Sequence, residues 1–142
     1  MKKTTAKKSP LKKEKEKAWK IFSEYIRLRD CLKTTKTILG GECYTCRRIK
    51  HYKELQAGHF LPGRHNANLF DERGCHAQCW WCNIQLYGNI PSYYKRMLAD
   101  YGQEVIDQLL EQNQEIKPMK INDFIAKHEE FKVKIELLKK QY

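Results

Sequence analysis

Two Cys-x-x-Cys knuckles, Cys43/Cys46 and Cys79/Cys82, constrain this chain more than any other feature. Four thiolates in two knuckles can close one tetrahedral zinc site, which would tie together the ends of the segment between them. A redox dithiol of the thioredoxin kind needs one such pair in a βαβ context; this chain has two pairs and no such pattern. Structural zinc supplies ~10–16 kcal/mol of apparent binding energy in finger peptides. A module with so short a β-hairpin needs a contribution of that size to fold. The knuckle spacing in a Lys-rich chain favours reduced thiolates and an intracellular, cytoplasmic setting over disulfides. Cys31, outside the knuckles, is expected as a half-buried free thiol.

Charge restricts the partner. The net charge is +11, from 28 basic and 17 acidic residues. Residues 1–20 hold nine Lys against two Glu, so +7 of the +11 sits there and the other 122 residues carry +4. That balance favours a polyanion, most simply nucleic acid, over a merely solvated tail. At 142 residues one compact domain is the default. No run of about 18 apolar residues is present, so no membrane helix is expected, and the basic N-terminus has no apolar segment of a signal peptide behind it.

Along the chain, residues 1–13 form a Lys/Thr/Ser tail with too few apolar groups to offset ordering, and read as disordered. Residues 14–95 read as the core with its N-terminal helix, and residues 96–142 as a C-terminal helical extension. The first helix is expected from Glu14 to about Arg29, with Trp19, Phe22, Tyr25 and Ile26 on one stripe. Gly40-Gly41 signals a turn, and residues 47–52 a basic excursion. Glu54 to Phe60 reads as a strand with Leu55, Ala57 and His59 on one face. Leu61 to Arg73 reads as a loop, Gly74 to Gln78 as the returning strand, and Cys82 to about Tyr87 as the opening of a helix. Helices follow from Pro91 to Ala99 and from Gln103 to about Gln112. The last is capped by Asn122 or Asp123 and carries the stripe Phe124, Ile125, His128, Phe131, Ile135 and Leu138.

Chemistry centres on His59, which follows Gly58 in the segment between the knuckles. A glycine there permits close approach of backbone or ligand. Asn83, fixed to the second knuckle, offers a carbonyl oxygen to a hard cation such as Mg²⁺ or Mn²⁺. Arg64 and Arg73 can hold a phosphate. With an ordinary pKa near 6.5, His59 can be neutral at cellular pH and take a proton from water. Lys12, Lys13, Lys17 and Lys20 can add phosphate contacts. Trp80 and Trp81 fill the second knuckle; they can stack on bases or roof a small core, and the core is the preferred reading. Tyr87, Tyr93 and Tyr94 carry the same two readings.

The pattern Cys-x-x-Cys, Gly-His, Cys-x-x-Cys-Asn resembles the HNH (ββα-metal, His-Me finger) nucleases, and the spacing is similar to the recombination endonuclease VII type. More specifically, Leu55-Gln56-Ala57-Gly58-His59-Phe60, Phe70-Asp71-Glu72-Arg73, His76-Ala77-Gln78-Cys79 and Cys82-Asn83 resemble the phage recombination protein NinG (Rap) family. The segment Phe22 to Asp30 fits that family too, and the resemblance covers roughly residues 19–95. It implies an α+β fold: a small zinc-stapled ββα-metal (HNH) core with a flanking N-terminal helix and C-terminal helices. It implies His59 as general base, Asn83 as ligand of a catalytic Mg²⁺ or Mn²⁺, and the four cysteines as structural zinc ligands. Two expected groups are missing: Gly58 replaces an acidic ligand, and Gly74 stands near the Asn that orients the base. His76 or Asp71 can supply the missing ligand, against their plain readings as a strand residue and a loop acid.

The implied activity is metal-dependent endonuclease cleavage of branched DNA, such as Holliday junctions or D-loops, in phage recombination. A non-catalytic zinc module that binds nucleic acid or a recombination protein is the alternative. Two cuts at a junction suggest a homodimer joined through the C-terminal stripe.

Overall fold

Ser9 and Pro10 decide where the chain first becomes regular. The Ser9 hydroxyl accepts the Lys12 backbone N–H at 3.2 Å, and Pro10 opens the first turn of α1 (Pro10–Thr35). The computed structural model describes residues 6–62 and 66–142. The helix thus begins earlier than Glu14 and runs past Arg29, because a cap and proline outweigh the polar composition of Pro10–Lys13. Ala6 to Ser9 have no regular structure. The rest of the expected disordered tail, residues 1–5, lies outside the described residues.

Lys36, with φ 64°, ends α1 in the left-handed region and turns the chain into β1 (Gly40–Glu42). β1 pairs antiparallel with β2 (Ile49–His51), so the basic excursion is a strand, with Gly41 opposite Lys50. A Cβ on Gly41 would lie 2.8 Å from both the Cα and Sγ of Cys31, so this glycine lets β1 press against α1. Cys31 is accordingly fully buried rather than half-buried, and burial pushes its thiol up to about 11.

The second ribbon pairs β3 (Leu55–His59) with β4 (Cys75–Cys79). Its register sets Gly58 opposite His76 and His59 opposite Cys75. Residues directly opposite share a face, so His59 and His76 belong to opposite faces of the ribbon. One face, with Ala57 and Cys75, packs on Phe22 and Ile26 of α1. Asp30 fixes the fit by accepting the Ala77 N–H at 2.7 Å, while Arg29 donates to the Glu72 and Cys75 carbonyls at 2.8 Å each.

After β4 the expected helix from Cys82 is a π-type turn over Trp81–Gln85, closed by Leu86 N–H donating to the Trp81 carbonyl at 2.8 Å. Cys82 lies in this wider turn, and Cys79 ends β4 just before it. Then come α2 (Ile90–Tyr101), α3 (Gln103–Asn113) and α4 (Ile121–Gln141). Gly102, at φ 85°, separates α2 from α3. Asp123 sits inside α4, and its carboxylate accepts the Lys120 N–H at 2.8 Å.

The chain is therefore mixed α+β, with its apolar groups in two main clusters. Phe124, Phe131 and Ile135 of α4 join Phe22, Tyr25 and Ile26 of α1 in the larger. The segment 96–142 is thus continuous with the core. Of the stripe expected to join two chains, Phe124, Phe131 and Ile135 cover α1 of their own chain, while Ile125 stays exposed. The smaller cluster gathers Tyr44, Phe60, Tyr93, Met97, Ile106 and Leu109. Among the described residues no helix is long and apolar enough to cross a membrane.

Candidate functional site

The knuckles converge. The Sγ atoms of Cys43, Cys46, Cys79 and Cys82 all lie within 4.8 Å of one another, a cluster that could hold a zinc ion. Hydrogen bonds shape the sulfurs: Cys79 N–H reaches Cys43 Sγ at 3.3 Å, and Asn89 Nδ2 reaches Cys82 Sγ at 3.5 Å. Burial opposes ionisation of Cys43, but backbone donors from Cys46 and Cys79 and the Thr45 hydroxyl outweigh it and hold the thiol down at about 6. Burial and the neighbouring Cys43 sulfur push Cys46 up to about 12. One thiolate is thus easy and four are not, which is the situation a dication relieves.

His59 ends β3 and is partly buried, its ring stacked on Trp19 with centroids 5.1 Å apart at 25°. Its Nε2 is 3.0 Å from the Leu69 carbonyl, which can only accept, so Nε2 carries the proton and Nδ1 holds the lone pair. Burial lowers its pKa, and the Leu69 carbonyl only partly opposes that. The imidazole is neutral at cellular pH. The carbonyl in turn is pinned, because the neighbouring Asn68 side chain donates to the Leu109 carbonyl at 2.9 Å. The loop backbone therefore orients His59.

Gly58, one residue before, faces the other way. A Cβ there would collide with Gln78 Oε1 and lie 2.9 Å from Asn83 Oδ1. Gln78 is fully buried, and its Nε2 donates to the Gly88 carbonyl at 2.9 Å and to Thr45 at 3.1 Å. A carbonyl can only accept, which fixes the amide with Oε1 turned toward Gly58. That oxygen has no hydrogen-bond partner. Asn83 Nδ2 donates to Gln56 Oε1 at 2.8 Å, leaving Asn83 Oδ1 on the same side. Two amide oxygens thus lie against the Gly58 backbone, a donor type that could take part in holding a hard divalent cation.

His76 is elsewhere. It is 2 % exposed and stacks on Tyr44 at 3.8 Å. Tyr93 donates its hydroxyl hydrogen to the Gly58 carbonyl at 2.7 Å, so His76 Nδ1–H donates to Tyr93 Oη at 3.1 Å. Nε2 then accepts from Tyr101 at 3.0 Å. Both ring nitrogens are occupied and burial holds the pKa well below 6.5, so His76 has no lone pair for a cation. Asp71 likewise forms a two-pronged pair with Arg73, at 2.9 and 3.1 Å, and accepts its N–H at 3.0 Å. Burial opposes its ionisation, but these bonds lower its pKa overall. Neither Asp71 nor Arg73 is unengaged. Arg64 lies outside the described residues.

A shallow groove beside this centre is lined by Trp19, Ser23, Arg27, Gln56 and Asn83. Arg27, which sits over the Tyr52 ring at 4.7 Å, is the cation placed there. Arg27 and Gln56 reach the groove, and Gln78 and the Leu69 carbonyl reach Gly58 and His59, only through tertiary packing, so none of the four has a sequence signal. Lys12, Lys13, Lys17 and Lys20 are exposed along α1, with Lys17 loosely paired to Glu14 at 3.4 Å.

A family model, described as the bacteriophage lambda NinG protein, matches residues 1–141. The chain belongs to the NinG family. Membership in this phage family implies a role related to phage recombination. No curated protein and no solved structure matches the chain. Within a NinG-family chain, then, His59 ends β3, Asn83 lies in the turn after β4, and the four cysteines join that turn to the β1–β2 connection. His76 and Asp71 are instead taken up by Tyr93, Tyr101 and Arg73.

Proposed function

We propose that the chain is a metal-dependent DNA endonuclease of the HNH type, related in pattern to recombination endonuclease VII. It would act on branched DNA, such as Holliday junctions or D-loops, during phage recombination. The observation that carries this reading is the adjacency of Gly58 and His59. One presents its backbone to two amide oxygens, Asn83 Oδ1 and the unpartnered Gln78 Oε1; the other presents a neutral imidazole.

Each residue has a task. His59 Nδ1 takes the proton of a water aligned with phosphorus. The Leu69 carbonyl on Nε2 keeps the lone pair on Nδ1 and stabilises the imidazolium that forms. Asn83 and Gln78 would hold a Mg²⁺ or Mn²⁺ ion. Such an ion, when bound, offsets charge on the phosphate oxygens. Arg27 in the groove adds a fixed cation for the scissile or a neighbouring phosphate. The zinc knuckles hold Asn83 and β4 in register.

A second reading has its own observation. No acidic side chain lines the groove beside Asn83 among the described residues. That favours a non-catalytic zinc module that binds nucleic acid or a recombination protein.

The deciding experiment is cleavage of a labelled four-way junction and a matched duplex, with Mg²⁺ or Mn²⁺, by wild type and His59→Ala. The endonuclease predicts metal-dependent cutting, faster on the junction, that falls by ~10²–10⁴ in His59→Ala with binding retained. Tight binding by both proteins with no cutting would sink the catalytic reading and leave the module.

A further inference from the structure

Beside the zinc cysteines lies a cleft of about 890 Å³, lined by Arg48, Lys50, Lys53, Gln56, Trp80 and Trp81. The two tryptophans do not roof a core. They are 51 % and 55 % exposed, because the knuckle turns Cys79 and Cys82 inward and the two residues between them outward. Large exposed indoles in adjacent positions are costly in water and usually mark a binding surface.

Three cations line the same cleft: Arg48 just before β2, Lys50 within it and Lys53 in the short turn after it. Among the described residues none of the three takes part in an ion pair. Glu54, the acid of this cleft, is held by the His51 backbone N–H at 3.1 Å. A cleft lined by both free cations and exposed aromatic faces matches a chain that offers phosphates and unstacked bases together. A duplex hides its base faces in the stack, and so cannot use the indoles. Gln56 also lines the groove that contains Asn83 and Arg27, so the two depressions meet at this residue.

We propose that this cleft binds unpaired, single-stranded DNA, with bases stacked on Trp80 and Trp81 and phosphates held by Arg48, Lys50 and Lys53. A strand leaving the cleft past Gln56 enters the groove at Asn83. The cleft thus selects DNA with unpaired bases, as at a branch point, for the site proposed above. The proposal rests on the nucleic-acid part of that reading and not on cleavage.

The test uses the full zinc-bound chain without added Mg²⁺ or Mn²⁺, a labelled oligo-dT of about 15 nucleotides, and a matched linear duplex. Tryptophan emission and labelled-probe anisotropy are both read. Oligo-dT should quench the emission. Trp80→Ala/Trp81→Ala should bind it about ten-fold more weakly or worse, with duplex binding unchanged. Lys50→Glu/Lys53→Glu leaves the knuckle intact and should weaken oligo-dT more than duplex. It should also flatten the single-strand salt slope by about 0.7 for each phosphate no longer neutralised.

Unchanged emission at saturation overturns the proposal. So does wild-type oligo-dT binding by both variants, which would assign the surface to a protein partner. If the tryptophan variant loses its zinc, the lysine variant decides: an equal fall on both probes, or none, overturns the proposal. Binding of oligo-dT that weakens as described in both variants, but with no cutting once metal is added, would defeat the nuclease reading and leave this one standing.

Discussion

Trp19 of α1 lies over the ring of His59 at the end of β3, with centroids 5.1 Å apart and planes 25° from parallel. The stack shuts water off one face of the imidazole, and burial is the main reason its pKa falls below the ordinary value of 6.5. Trp19→Ala should therefore raise the His59 pKa toward that value, seen directly as an upward shift in the NMR titration midpoint of its ring protons. If His59 is the base, the acid limb of the cleavage profile should move to higher pH by the same amount. The linkage sign follows: a folded pKa below the unfolded one gives stability that is present above about 6.5 and lost as pH falls. An unchanged midpoint in Trp19→Ala would show that the stack does not control this ring.

Gly58 carries the next prediction. A Cβ at this position meets Gln78 Oε1, a buried and well-anchored oxygen, rather than the loose end of a flexible side chain. Gly58→Ala should cost about 1–3 kcal/mol in urea unfolding, the range for overpacking a filled site. The same change in a Gln78→Ala background should cost much less, because its obstacle is gone. Additive costs in this double-mutant cycle would mean that the two residues do not press on each other.

The zinc site gives a third. With all four sulfurs within 4.8 Å, the purified chain should carry one zinc by elemental analysis. Cys43→Ser and Cys79→Ser should carry none and unfold at markedly lower urea. Apparent zinc energies of ~10–16 kcal/mol exceed or match the whole stability of a typical domain. A metal-free variant with wild-type stability would show that the cysteines are packing groups only.

The legible parts of this molecule were those with local rules behind them. The Cys-x-x-Cys spacing pointed to the cluster, and the alternation in residues 54–60 pointed to β3 and to the face His59 takes. What stayed hidden depends on partners distant in sequence. The tandem Ser9-Pro10 start was masked by the surrounding lysines. Trp80 and Trp81 look like core by residue type, and only the inward turn of the cysteines puts them outside. His76 sits in a promising string of residues, yet two tyrosine hydroxyls from α2 occupy both of its nitrogens. The orphaned Gln78 oxygen and the Leu69 carbonyl have no sequence signature, since any glutamine or backbone could occupy those positions.

The exposed lysines of α1 carry the last prediction. Lys13, Lys17 and Lys20 recur at helical spacing, so they share one face, with Lys12 beside them. Only Lys17 has an acidic neighbour, and at 3.4 Å on an exposed surface that pair contributes little. These charges are available to phosphates if DNA runs along this face. Replacing all four by Ala should weaken duplex binding and reduce the log–log salt slope by up to about 0.9 for each phosphate released. The helix itself should persist, because Ala is the strongest helix former and the buried face of Phe22 and Ile26 is untouched. A salt titration of binding by wild type and the four-fold variant, with circular dichroism as control, reads both effects. An unchanged slope with α1 intact would place the DNA away from this face and leave Arg27 and the cleft lysines as its contacts.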